Sequence, residues 1–506
     1  GCRRLDRFAG PARTGAADGR MNGRTFAVRW SRLWPIVWAS FFLLLPVTSM
    51  PLIVRLVGSD VVAAPSGLIA GVLLIGWLFP RWINGRLKFA STAAPIFLFA
   101  LVAVALTFAR FPGSEGVFYK NASPLRSALN ASLTLAVGLI FFLTAMAYCQ
   151  TPDRIRAVMR WINWSGVIVL IWTLLQAAFW YTRQGYPGWM RQAQSVFSVG
   201  TLFRQRFVGF TLEPSWLAHQ LNLLYLPWWL AATVQGTTAH DWRRGRMTIE
   251  TILLGLGAVV LYLTLSRVGL AAFALVLSAL AIGRSSFSSG RVPDLAARRR
   301  RRLRVLALIV LLPAVGFLVL WTLTRLDYRM RELFTLNLSG RSDAAAYLAE
   351  KLSLASRFVY WEAGWNVFSE KPIMGAGLGQ AGVYIPDVLS PTALRLVEVR
   401  DLLFRSETLL NIKSFWIRLL AETGVIGFAL FASWLISSFA AARRLSRNAA
   451  PILRSVGLAA CFTLIAFLIE GFSVDTFALP YLWVSVGISA GASLAACPAL
   501  DRRDDA

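Results

Sequence analysis

Apolar runs of roughly membrane-crossing length recur along the chain, and this repetition constrains the fold more than any other feature. A helix needs about 20 predominantly apolar residues to cross a hydrocarbon core about 30 Å thick. Twelve runs of that order can be marked, at 35–54, 61–79, 91–109, 128–149, 160–181, 214–234, 249–265, 268–283, 305–324, 424–440, 455–474 and 478–497. The stretch 249–283 must be two helices, because 35 residues at about 1.5 Å each would extend roughly 52 Å. Its natural break is a tight hairpin at Ser266 and Arg267. With 57% hydrophobic residues and 20 tryptophans, the composition exceeds that of a soluble globular domain. The sequence predicts an all-α polytopic membrane protein of about twelve transmembrane helices.

The distribution of charge orients these spans. Basic residues favour the cytoplasmic side, and placing the basic N-terminus inside puts both termini in the cytoplasm. The densest basic run, "ARRRRRLR" (Ala297 to Arg304), then falls in a cytoplasmic loop, where it suits topology and contact with anionic lipid. Orientation accounts for the net charge of +27, so nucleic acid is not expected as a partner. The first apolar run begins more than thirty residues in, without a small-residue cleavage site, and reads as a retained helix. Met21 is a candidate start. Four cysteines without a CxxC pair and only two histidines, His219 and His240, predict neither a disulfide framework nor a metal centre. No cofactor is expected.

One connection stands apart by its length. The expected division is a basic segment over 1–34, helices one to nine over 35–324, an outer loop over 325–423, helices ten to twelve over 424–497, and a tail over 498–506. A loop of that size between helices nine and ten is too long for an idle link. Within it, Ala344 to Lys371 has an amphipathic helical pattern that stops at Pro372. "GAGLG" (Gly375 to Gly379) follows and suits close backbone approach, not nucleotide binding, since the strand–turn–helix context is missing. A second helical pattern runs from Ala393 to Leu410, and Gly424 separates a short polar-faced helix from the next span.

The cationic residues that reach the outer side define a candidate site. Arg204 and Arg206 end a smaller outer loop, Arg267 sits in the Ser-Arg hairpin, and Arg357 and Lys413 lie in the large loop. A single arginine at a helix end can be a snorkelling anchor, but Arg267 lies between two apolar helices with almost no polar loop. Gathered arginines suit phosphate or pyrophosphate, because the planar guanidinium offers paired donors and stays charged. Glu213 precedes Pro214 and serves either as a helix-start residue or as a site carboxylate. Glu362 and Glu370 suit a solvated loop helix, with Glu362 also a candidate base, and His219 reads as a helix-packing residue.

"RFVGFTLEPSWLAHQL", "LTLSRVGL", "SRFVYWEAGWNVFSEKPIMGAGLG" and "KSFWIRLLAETGVIGF", in this order, resemble the motifs of the bacterial O-antigen ligase and O-antigen polymerase superfamily. The resemblance covers about residues 200–440 by motif. It implies a metal-independent, inverting glycosyltransferase of the inner membrane that moves a glycan from undecaprenyl pyrophosphate to a sugar hydroxyl at the periplasmic face, in O-antigen or exopolysaccharide biosynthesis. A glycan acceptor, membrane lipids, a chain-length regulator and a flippase are the partners it implies. Arg206 and Arg267 match the family arginines that contact the donor diphosphate; Arg204 and Arg357 join them as candidates. The family's loop histidine falls on Lys413, which leaves the general base open among Glu213, Glu362 and Glu407 and tilts the reading from ligase to lipid A core towards polymerase. A flippase or transporter is the rival class; it would show repeats and broken helices in matching positions, and no internal repeat is visible.

Overall fold

The computed structural model describes residues 33–57, 63–109, 120, 123–286, 355–406 and 409–496. The expected span 305–324, the basic run 297–304, the first part of the large loop and Glu407 lie outside the described residues. What is described is helical except for a two-strand antiparallel ladder, β1 (Arg243–Arg244) and β2 (Met247–Thr248). The chain is a polytopic membrane protein. Six helices are long and apolar enough to cross a bilayer: α3 (Pro65–Ile83), α4 (Ser91–Ala109), α5 (Pro124–Tyr148), α6 (Pro152–Arg183), α13 (Phe415–Leu445) and α14 (Pro451–Glu470). Shorter apolar helices join them: α1 (Leu33–Leu43), α9 (Ile249–Leu263) and α10 (Arg267–Ser286). Two more pack in the same bundle. One is α8, which runs from Pro214–Gln220 through a π turn at Leu221–Tyr225 into Leu226–Gln235; the other is α15 (Pro480–Ala495). Among the described residues, six helices reach full spanning length and several shorter apolar helices accompany them.

Lipid leaves backbone N–H and C=O groups no external partner, so each segment satisfies its own as helix. Proline opens α5, α6, α14 and α15, where its missing N–H would have no helical partner in any case. α14 is the central helix: 72% of its apolar window is buried, against 28% for α3, and α3 accordingly turns Leu68, Val72 and Ile75 outward. α15 meets α5 closely because Gly487 and Gly491 present bare backbone to the carbonyls of Phe142 and Met146.

Three sequence expectations are sharpened or corrected. The break at Ser266 and Arg267 is present: α9 ends at Leu263 and α10 begins at Arg267. The run 35–54 is not one helix, since α1 ends at Leu43 and a separate α2 spans Pro51–Val57. Pro46 has no N–H to continue α1 and disfavours helical backbone at Leu45. The pattern at 393–410 is likewise broken, into a 3₁₀ turn (Pro391–Arg395), a helical turn (Val397–Arg400) and a π turn (Asp401–Arg405), because Leu396 is extended. Within the first loop pattern the described part forms α11 (Ala355–Glu370), residues 344–354 lying outside the described residues, with α12 (Ala381–Val388) after the glycines. A further helix, α7 (Gly188–Phe197), lies in the smaller loop between α6 and α8.

Candidate functional site at one end of the bundle

The candidate arginines come from two short turns and one long segment. Gln205 has a left-handed φ of 61°, an uncommon conformation for a non-glycine residue. It sits between exposed Arg204 and partly buried Arg206. Arg206 Nε donates to the Thr264 carbonyl at 3.3 Å, which ties this loop to the turn that leads into Arg267. Gln176 of α6 fixes the loop from below: its Oε1 accepts from the backbone N–H groups of Val208 and Gly209, and its Nε2 donates to the Gly209 carbonyl. The Thr264–Ser266 turn is also tightly held, with Thr264 Oγ1 accepting from Ser266 N and Ser266 Oγ from Gly269 N.

Beneath that turn lies a buried polar cluster. Asn222, on the π turn of α8, donates to the Gly269 carbonyl at 2.8 Å and to Glu470 Oε1 at 2.6 Å. His219 Nδ1 lies 3.3 Å from Glu470 Oε2, and both side chains are almost wholly buried. His219 is thus part of a polar network, more than the packing residue expected from sequence. The same corner reaches the long segment, since Phe415 N donates to the Gly471 carbonyl at 2.7 Å.

The long segment is stitched to α13 by a broken helix. Gly424 interrupts α13 with φ 63° and ψ −167°, freeing backbone groups on either side. Ala376 and Gly377 N–H groups donate to the Ala421 and Glu422 carbonyls, while Val425 and Ile426 N–H groups donate to the Pro372 and Ile373 carbonyls. The glycines of "GAGLG" serve the close approach expected of them: a side chain at Gly375 would strike the Glu422 backbone.

Lys413 stands just before α13 with a left-handed φ of 55°. Its ammonium pairs with Glu398 and lies 4.7 Å from the centre of the Tyr360 ring. Burial first, and then the Glu398 carboxylate, raise the Tyr360 phenol above its ordinary value, so it stays neutral beside the lysine. Arg357, on α11, donates to the Phe472 carbonyl at 3.4 Å. Arg418, one turn into α13, donates to Glu422 Oε1 at 2.9 Å and to the Asp475 carbonyl at 2.6 Å. The Asp475 carboxyl is pushed above the usual carboxylate range by burial, against the opposing pull of Arg418, the Lys413 backbone and Arg357.

The carboxylates named from sequence are placed differently. Glu213 is exposed at the N-cap of α8, accepting from Ser215 Oγ at 3.0 Å, the geometry of a helix-start residue. Glu362 is exposed on α11. Asp475, Arg418 and Glu422 were not singled out from sequence. Asp475 carries no motif of its own; Glu422 belongs to the Glu-Thr-Gly motif, and its spacing of four from Arg418 on one helix face was the available signal. Among the described residues no group of three or more side chains could hold a metal ion.

The fold and site define a polytopic helical membrane protein that brings Arg357, Arg418 and the half-buried Asp475 together at one end of its bundle. Residues 252–432 match the family model described as Wzy_C, O-antigen ligase. That match takes in Arg267, Arg357, Lys413, Arg418 and Glu422, whereas Arg206, Glu470 and Asp475 lie outside it. No curated protein matches the chain.

Proposed function

We propose that the protein is a membrane glycosyltransferase of the polymerase or ligase type, transferring a glycan from an undecaprenyl-pyrophosphate-linked donor to a sugar hydroxyl at the periplasmic face, with both termini in the cytoplasm. The observation that carries this reading is the bond from Arg206 to the Thr264 carbonyl, which joins the Arg206 loop to the Arg267 turn inside the O-antigen ligase domain. Two guanidinium groups from these turns would grip the donor diphosphate. The acceptor oxygen forms its bond to the anomeric carbon from the opposite face as the bond to the diphosphate oxygen breaks. The electron pair leaves with the diphosphate, where fixed cations stabilise it, and the acceptor proton passes to a carboxylate.

For that base we favour Asp475. Burial raises its pKa above the usual carboxylate range and so makes it a stronger base than a solvated carboxylate, and it adjoins Arg418, Arg357 and the Lys413 backbone. Lys413, tied to Glu398, would contact a phosphate or acceptor group. Since a lysine stands where the ligases of the family carry a histidine, polymerisation of a lipid-linked repeat is the reading we prefer.

Purified protein supplied with a lipid-linked repeat unit and no added metal should produce a ladder of longer products. The Arg206→Ala, Arg267→Ala double variant should lose transfer by about a thousandfold or more. Full activity in that folded variant would sink the site, and transfer only to a lipid A core acceptor would make the protein a ligase.

A further inference from the structure

Beside the Arg206 loop lies an open cavity of about 920 Å³ that the transfer chemistry does not use. Its walls are the end of α6, α7, the irregular run 198–204, and Pro51 of α2. The size is that of pockets that take ligands of several rings. Its lining includes two arginines, Arg191 and Arg204, but no carboxylate. Both arginines are exposed, and neither guanidinium has an ion-pair or hydrogen-bond partner among the described residues. Trp180 and Tyr186 supply aromatic surface, with Tyr186 fixed by its bond to the Phe203 carbonyl.

One wall residue is conspicuously incomplete. Gln194 is 2% exposed, and its Oε1 accepts from Trp172 Nε1 at 2.9 Å and Gln176 Nε2 at 3.3 Å. Its Nε2 has no partner. A buried donor left unmade is costly, so this amide suits a ligand acceptor group. The same Gln194 bonds to Gln176, which holds the backbone of Val208 and Gly209. Cavity wall and donor-arginine loop are therefore mechanically joined, and Gln205 is the pivot that sets Arg204 on the cavity and Arg206 on the Thr264 turn.

We propose that this cavity is a glycan-binding subsite for an anionic oligosaccharide, with Arg191 and Arg204 on its acidic substituents, Gln194 Nε2 on a hydroxyl or carboxylate oxygen, and Trp180 against a sugar face. Hydroxyls and amides around the cationic pair (Gln184, Ser195, Thr201) match a polyhydroxylated ligand better than a lipid phosphate. That the bound glycan is the acceptor, steered towards the transfer site, rests on the function proposed above; the binding itself does not.

The test is equilibrium binding of trigalacturonate to the full chain in phosphatidylcholine nanodiscs, read by tryptophan fluorescence, with maltotriose as the neutral control. Saturable trigalacturonate binding that weakens with salt, exceeds maltotriose binding and falls about tenfold or more in Arg191→Ala, Arg204→Ala supports the subsite. Gln194→Glu should weaken it too, since a carboxylate replaces the free donor while the other oxygen still accepts. The Arg206→Ala, Arg267→Ala variant should bind trigalacturonate as the parent does; if it also retains transfer, the proposed function fails while the subsite stands. No saturable binding, binding unchanged in the arginine double variant, or loss of binding on adding phosphatidylglycerol to the discs overturns the proposal, the last by assigning the cavity to a lipid headgroup.

Discussion

The two halves of the candidate site are built in opposite ways. Arg206 and Arg267 leave short turns whose backbones are clamped from within the bundle, by Gln176 on one side and by Asn222 and Glu470 on the other. Lys413, Arg357 and their neighbours belong to a segment of brief helical turns that docks from outside through Gly375, Gly377 and the broken α13. The first half is held rigid by side chains of the bundle; the second keeps its place through a few backbone contacts.

The largest expected effect breaks the docked half alone. Gly424→Ala puts a side chain at a left-handed position against the Ile373 carbonyl, and should cost about 3 kcal/mol or more. Thermal unfolding in detergent and proteolysis near residues 372–377 should both report it; a parent-like Tm would mean that the stitch contributes little. Next is Asp475→Asn, which should lower kcat about a hundred- to a thousandfold with donor KM little changed. A base works deprotonated, so a raised carboxyl pKa makes activity fall with decreasing pH at a higher pH than the ordinary carboxylate value of about 4. The acid limb of kcat/KM should therefore lie above that value in the parent and vanish in the variant; a limb unchanged by Asp475→Asn would return the role to Glu362 or Glu407.

Smaller effects separate the halves more finely. Glu470→Gln retains an oxygen for Asn222 but removes the charge facing His219, and should lower stability by about 2 kcal/mol. Because Asn222 also holds Gly269, it should raise donor KM more than acceptor KM; the reverse order would uncouple this cluster from Arg267. Smallest is Lys413→His, expected to keep transfer within about tenfold, since the lysine contributes charge at a partly exposed position tied to Glu398. A large gain with a new pH dependence near 6.5 would show that the position takes a catalytic base readily.

This contrast also marks what was legible in the sequence. The helices announced themselves by apolar length, and the Ser266–Arg267 break followed from the impossibility of a span of 35 residues. "GAGLG" was readable as a place of close backbone approach and Gly424 as a boundary between helices, though not as partners of one another. What sequence could not show was contact between distant residues. Nothing local to "FSVDTF" marks Asp475, because its altered acidity comes from burial among elements distant in sequence, which also bring Arg418 and Arg357 beside it. His219 looked like packing because its partner Glu470 is on another helix. The pattern at 393–410 misled for a related reason: its apolar spacing is helical, but docking onto neighbouring elements, not a single face, fixes the backbone there.

The break at Gly424 also bears on how the protein is made. A helix interrupted at the membrane has exposed backbone groups that hydrocarbon cannot solvate, so α13 is not finished when it has merely been inserted. Its missing partners, Pro372 to Gly377, precede it in the chain and have already been synthesised when α13 emerges. Biogenesis can therefore complete this span by closing the preceding segment onto it, and that docking becomes a checkpoint in assembly of the bundle.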